Sequence, residues 1–323
     1  MTNGDRPIRF FELLPQGLNI DFVGLRSVMM VVSGILLAIS LGALTFKGLN
    51  FGIDFAGGTM VHIRFAEPSA IGTLRTALTD AALPGVMVQD LGGDEREYQI
   101  RVRSTDDIAI ERASGEVRDT LISAFGEGSF DVLRVESVGP KVGRDLWRDA
   151  TLAVIVATVM MSLYLAIRFD LRFGVGAAVA LVHDVILTLG ALALSGMEFE
   201  LTSVAALLTV VGFSVNDTVV ISDRIRENLR KSKRAPLIDI VNASINETLS
   251  RTLITSGTAI FVIVALFVLG GHVIHSFAFT LLVGFIAGTY SSIYVAAPVV
   301  LMMPARGGAR GPRARRPSRA ANG

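Results

Sequence analysis

The chain has 323 residues, 51% hydrophobic and 18% charged, with a formal net charge of +1 and no cysteine. Soluble globular chains carry about a quarter charged residues, so the composition excludes an ordinary soluble domain and favours a membrane protein. The missing cysteines exclude a disulfide framework and thiol chemistry.

Six windows carry almost no charge: Ser27–Phe46, Ala150–Ile167, Phe173–Met197, Leu201–Ser222, Thr252–Gly271 and Ser276–Met303. Each holds 18 to 28 residues, long enough as helices to cross a hydrocarbon core of about 30 Å. The expected fold is a polytopic α-helical membrane protein with six transmembrane helices. Residues 1–26 precede the first span, which is too long for a signal-peptide core and reads as a retained anchor.

The first interval, residues 47–149, holds 12 Lys/Arg against 17 Asp/Glu and reads as a solvated domain. Just after the first span stands Gly52-Ile-Asp-Phe-Ala-Gly-Gly58. Its glycines suit tight turns or close backbone approach, and Asp54 is placed to bond nearby amides, so Gly52, Asp54, Gly57 and Gly58 are expected to form a structural elbow. A phosphate-binding loop is excluded for want of the Lys and Ser/Thr signature. Alternation at Val61, Ile63 and Phe65 predicts a strand at 59–65. The predicted order is then helix 69–83, strand 86–91, strand 98–103, helix 106–125 and strand 130–138, with Gly92-Gly93-Asp94 as the hairpin turn. This βαββαβ order is the split βαβ, ferredoxin-like arrangement, giving a small α+β domain between the first two spans.

His183-Asp184 falls near the middle of the third window. Neighbours on a helix point about 100° apart, so the two are not expected to share one small site. Asp217, in Gly-Phe-Ser-Val-Asn-Asp-Thr-Val-Val at 212–220, lies in the fourth window. A carboxylate there costs about 2.5–3.5 kcal/mol on insertion scales and normally faces protein, water or a partner. Asn216 precedes it, and Asp223 and Arg224 close the window. Arg251 opens the fifth window from the same side, so a charge partnership with Asp217 is expected. The alternative makes Asp217 a hydrogen-bonded packing group and Arg251 a flanking charge. For Asp184, a relay with Asp217 and a static interhelical contact stand equal.

The loop 223–251 carries six basic residues at 224–234, followed by apolar positions at helical spacing from Leu237 to Leu249. With Pro236 ahead of them, they predict an amphipathic helix lying on the membrane. Gly284-x-x-x-Gly288 and Pro298 in the last window suggest close packing and a bend. The tail 304–323 adds six arginines and no acid. Its composition predicts disorder and a topology role, with anionic lipid or ribosomal RNA as the alternative partner; otherwise no nucleic acid is expected. Basic residues on one side place both termini in the cytoplasm and the α+β domain outside it.

With the fourth-window motif running on into Ser-Asp-Arg-Ile-Arg-Glu-Asn, together with the glycine motif at 52–58, His183-Asp184 and Arg-Thr-Leu-Ile-Thr-Ser at 251–256, the chain resembles the SecF subunits of bacterial SecD–SecF protein-export complexes, within the resistance-nodulation-division superfamily. The resemblance covers about residues 20 to 303. It implies half of a two-part unit, with SecD as partner and supplier of a further essential acid. It implies a proton pathway through Asp217 and Arg251; Asn216, His183, Asp184, Asp223 and Arg224 are candidate supporting residues beside it. It further implies the SecYEG translocon, with YajC and YidC, as associates, unfolded exported polypeptide as substrate, and the inner membrane as location. On this reading the chain is no enzyme, has no catalytic or metal site, and needs no cofactor beyond protons as coupling ion. The rival is a passive assembly subunit whose intramembrane charges only fix helix register.

Overall fold

A computed structural model describes residues 19–91, 95–103, 107–232 and 234–303. The predicted turn at 92–94 and the basic tail lie outside the described residues.

The chain enters through α1 (Arg26–Phe46), a short strand β1 (Asn50–Phe51) and one helical turn, α2 (Ile53–Ala56). The α+β domain follows as β2 (Gly58–Phe65), α3 (Ile71–Asp80), β3 (Met87–Asp90), β4 (Glu97–Val102), α4 (Asp107–Phe125) and β5 (Phe130–Val138). Its sheet runs β3-β4-β2-β5, antiparallel throughout. Two split βαβ units interleaved in one sheet produce this order, so the ferredoxin-like arrangement stands. Inward residues of β2 and β4 (Val61, Ile63, Ile100 and Val102) pack under Leu74 and Leu78 of α3 and Val117 and Leu121 of α4. Each fully buried Leu or Ile stabilises the domain by roughly 1.5–3 kcal/mol.

The remaining spans are α5 (Pro140–Arg168), α6 (Leu171–Ser195), α7 (Leu201–Lys231), α8 (Leu237–Leu269), and α9 (His275–Ser291) continued through a π-helical turn at Ser292–Ala296 into α10 (Ala297–Met302). A two-residue strand β6 (Glu198–Phe199) lies between α6 and α7 and pairs parallel with β1. Six helices are long and apolar enough to cross a membrane. About half of the apolar window of α6 and of α7 and α9–α10 is buried, against 11% for α1 and α5 and 17% for α8. The first set therefore forms the centre of the bundle.

Two expectations need correction. The 223–251 segment is not a loop with a surface helix. Helix α7 has 31 residues and α8 has 33, so each extends roughly 15–20 Å past a core of about 30 Å, and only a short turn joins them. The apolar face of Leu237–Leu249 is turned to the protein. Val241, Ile245 and Leu249 pack with Ile221 and Ile225 of α7 and with Phe22 and Val23 ahead of α1. The basic residues mark where the bilayer would end, and the helix ignores that boundary because helix–helix burial continues beyond it.

Ahead of Pro298, where a bend is expected, the last span carries a π-helical turn at Ser292–Ala296. Proline lacks an N–H and its ring crowds the carbonyl four residues back, here Tyr294, and the widened turn accommodates both.

Candidate functional site

Asp184 is 1% exposed and sits where α6, α7 and α9 meet. Its Oδ2 accepts hydrogen bonds from Ser214 Oγ of α7 at 2.6 Å and Ser291 Oγ of α9 at 2.7 Å. Helix α9 comes this close because Gly284 and Gly288 face Val210 and Ser214, where a Cβ would lie 2.1 Å and 3.0 Å from the nearest atoms. The expected packing role of the glycine pair is thus observed. His183 departs from expectation: its ring turns back along the helix, and Nδ1 lies 3.0 Å from Asp184 Oδ1. A 100° offset at Cα does not separate two side chains when one is as long as histidine. The His183 ring also stacks on Tyr290 at 6.1 Å, whose hydroxyl donates to the Met29 carbonyl of α1 at 2.8 Å. Asp184 is therefore the hub of a polar joint between three helices, in which His183 Nε2 is buried with no hydrogen-bond partner among the described residues.

Asp217, one helical turn along α7 from Ser214, is 2% exposed. Its partner is neutral: Ser256 Oγ of α8 donates to Oδ2 at 3.1 Å. Arg251 is exposed at the start of the same stretch of α8 and acts on the carboxylate only at electrostatic range. No ion pair joins the two among the described residues, so the charge partnership expected from the sequence is not a direct contact here. Next to Asp217, Thr218 Oγ1 and Ser292 Oγ lie 3.2 Å apart, tying the acid's turn to the π turn. No hydrogen bond joins Asp184 to Asp217 among the described residues.

The supporting residues divide. Asn216 and Asp223 lie on the exposed face of α7. Arg224 holds the α7–α8 hairpin together, paired with Glu227 at 2.6 Å and with Glu247. Asn242 and Asn246 of α8, which the sequence did not single out, grip the segment before α1: Asn246 Oδ1 accepts from Ile20 N–H at 2.9 Å and Asn242 Oδ1 from Val23 N–H at 3.2 Å.

The glycine segment is a tight elbow. Gly57 and Gly58 have φ of 73° and 128°, and a Cβ at Gly58 would lie 2.5 Å from the Val102 carbonyl oxygen. Asp54 Oδ2 accepts from the Leu201 N–H at 2.8 Å, so the elbow's carboxylate reaches the first turn of the helix that carries Asp217.

Comparison with known proteins gives the family. Residues 118–306 match the family described as protein export membrane protein SecD/SecF, C-terminal, and residues 42–69, spanning the elbow, match the SecD/SecF GG motif. A protein translocase subunit SecF of Calditerrivibrio nitroreducens is 45% identical over 91% of this chain and 97% of its own length. One from Magnetococcus marinus is 49% identical over 90% and 94%. The crystal structure of SecDF, a translocon-associated membrane protein from Thermus thermophilus, is similar with a TM-score of 0.79 and 38% identity over 88% of this chain. This chain spans only 39% of that longer one. The membrane bundle, the elbow motif and the near full-length likeness to these relatives together establish that the chain belongs to the SecD/SecF family.

Proposed function

We propose that the protein is the SecF-type half of a proton-driven complex that assists protein export through the Sec translocon, and that Asp217 is the residue whose charge changes. One observation carries the assignment: Asp217 is the buried bundle carboxylate held by a single neutral hydroxyl, whereas Asp184 meets two hydroxyls and an imidazole. A carboxylate tied by hydroxyls of two other helices and by a neighbouring imidazole is held in place by those contacts. One with a lone hydroxyl partner can exchange a proton and let α8 shift against α7.

Arg251 contributes positive charge at range, at the side from which α8 enters the bundle. Protons moving inward across 100 mV release about 2.3 kcal/mol each. SecD is the proposed partner, since this chain matches 39% of the SecDF chain of similar structure. Unfolded polypeptide is the proposed substrate and the bacterial inner membrane the proposed location, with both termini cytoplasmic and the α+β domain on the exported side. The excess of basic residues at 224–234 supports that orientation.

Asp217→Asn in the complex with SecD is expected to assemble normally and to lose the proton-gradient-dependent part of export in inverted membrane vesicles. Unchanged export would overturn the assignment and leave a passive assembly subunit.

A further inference from the structure

A row of polar contacts joins the α+β domain to the loop between α6 and α7, far from Asp217. Strand β1 pairs with β6, Asn50 opposite Glu198 and Phe51 opposite Phe199, and Gly52 N–H donates to the Phe199 carbonyl at 3.0 Å. Arg101 projects from β4 of the domain into an ion pair with Glu198, each only 8% exposed. Its Nη1 also donates to the Phe51 carbonyl at 3.4 Å. Asn50 Nδ2 donates to the Gly196 carbonyl at 3.0 Å. Asp54 caps α7 through Leu201, as described above. Phe51, Phe55, Trp147 and Phe199 pack together at β1 and β6 with ring centroids 5.0 to 6.2 Å apart, and the burial of Arg101 and Glu198 strengthens their pairing.

The link to α1 is tied to the same end of the bundle: Gly48, with φ of 72°, closes α1 by donating its N–H to the Ala43 carbonyl at 3.0 Å, and Lys47 Nζ donates to the Leu194 carbonyl near the end of α6 at 2.7 Å. The Gly52–Gly58 elbow is thus fastened to the α6–α7 loop.

We infer that Asp54, Arg101 and Glu198 are positioning residues that clasp the α+β domain to the head of α7, so that the domain travels with the α6–α7 loop instead of swinging on the Gly52–Gly58 segment. The clasp delivers any displacement of α7 directly to β4, the second strand from the edge of the sheet. A buried ion pair is suited to this, because separating its members strands a charge in a poorly solvated site. The inference rests on the proposed role of Asp217 only for what moves α7; the clasp itself is tested without that residue.

The chain has no native cysteine, so spin labels at Arg75→Cys on α3 and Thr202→Cys on α7 report one distance in the full chain in lipid nanodiscs. A single narrow distribution is expected in this background and with Asp217→Asn added. Arg101→Gln or Asp54→Ala is expected to broaden it at least twofold. A distribution that is broad from the start, or that neither variant widens, overturns the clasp, whatever the outcome for Asp217 in export. A second variant guards against misfolding. Asn50→Cys/Glu198→Cys removes the ion pair when reduced and replaces it with a covalent bond between paired strands when oxidised. With SecD in vesicles, export is expected to fall severalfold on reduction and to return on oxidation. Loss of export on oxidation would mean that the domain must leave the loop, and the inference fails.

Discussion

At the scale of single residues, three buried carboxylates differ in the donors they meet. Asp184 takes two hydroxyls and an imidazole, Glu198 a guanidinium, and Asp217 one hydroxyl. Ser291→Ala leaves Asp184 short of one donor in a dry joint, a loss of about 1–3 kcal/mol. It is expected to lower the thermal unfolding midpoint of the purified chain. Ser256→Ala should lower it less and change proton-dependent export more. Arg251 makes no direct ion pair with Asp217, so its fork of donors is not what the acid uses. Arg251→Lys is accordingly expected to keep most export activity, and Arg251→Gln to lose most of it. Equal activity in all three would reduce Arg251 to a flanking charge. The identity of the buried acids was legible from sequence, because a charge inside an apolar window stands out. Their partners were not. Ser214, Ser256 and Ser291 are ordinary small residues of membrane helices, and only the meeting of three helices turns them into donors.

At the scale of elements, strands and helices of the α+β domain follow from periodicity, since one face of each is buried and the other wet. The length of α7 and α8 does not. Charge at 224–234 reports the edge of the bilayer, whereas the helices continue for as long as Val241, Ile245 and Leu249 find Ile221 and Ile225 to bury. The clasp was equally hidden: Arg101 and Glu198 lie far apart in the chain, and each reads alone as a solvated charge. Beside the clasp, Glu200 caps α7 in a reciprocal box with Ser203. Burial holds its carboxyl above the usual 4.5, nearby Asp54 adds to the rise, and Arg101 opposes it. The folded state therefore binds this proton more tightly than the unfolded chain does. The contribution to stability is fully present below about 4.5 and lost as pH rises through the raised folded value. Amide exchange over residues 196–203 is expected to accelerate with pH beyond its intrinsic rate in that window, and Glu200→Gln should abolish the excess. An identical profile in the variant would assign the effect elsewhere.

At the scale of the whole molecule, α6, α7 and α9–α10 form a buried centre, while α1, α5 and α8 stand outside it with mostly exposed faces. Composition and hydropathy were enough to count the spans, because hydrocarbon thickness fixes their length. They could not show which helices are central, since that depends on small residues such as Gly284 and Gly288 meeting particular neighbours. In this arrangement the two acids of the centre lie on different joints, one firm at Asp184 and one held by a single hydroxyl at Asp217. The most direct test compares them by proton flux in vesicles containing the complex with SecD, followed with a pH-sensitive dye under an imposed potential. Asp217→Asn is expected to abolish flux, and Asp184→Asn, with its hydroxyl donors still in place, to retain a substantial part of it. Flux that survives in Asp217→Asn and disappears in Asp184→Asn would contradict the account.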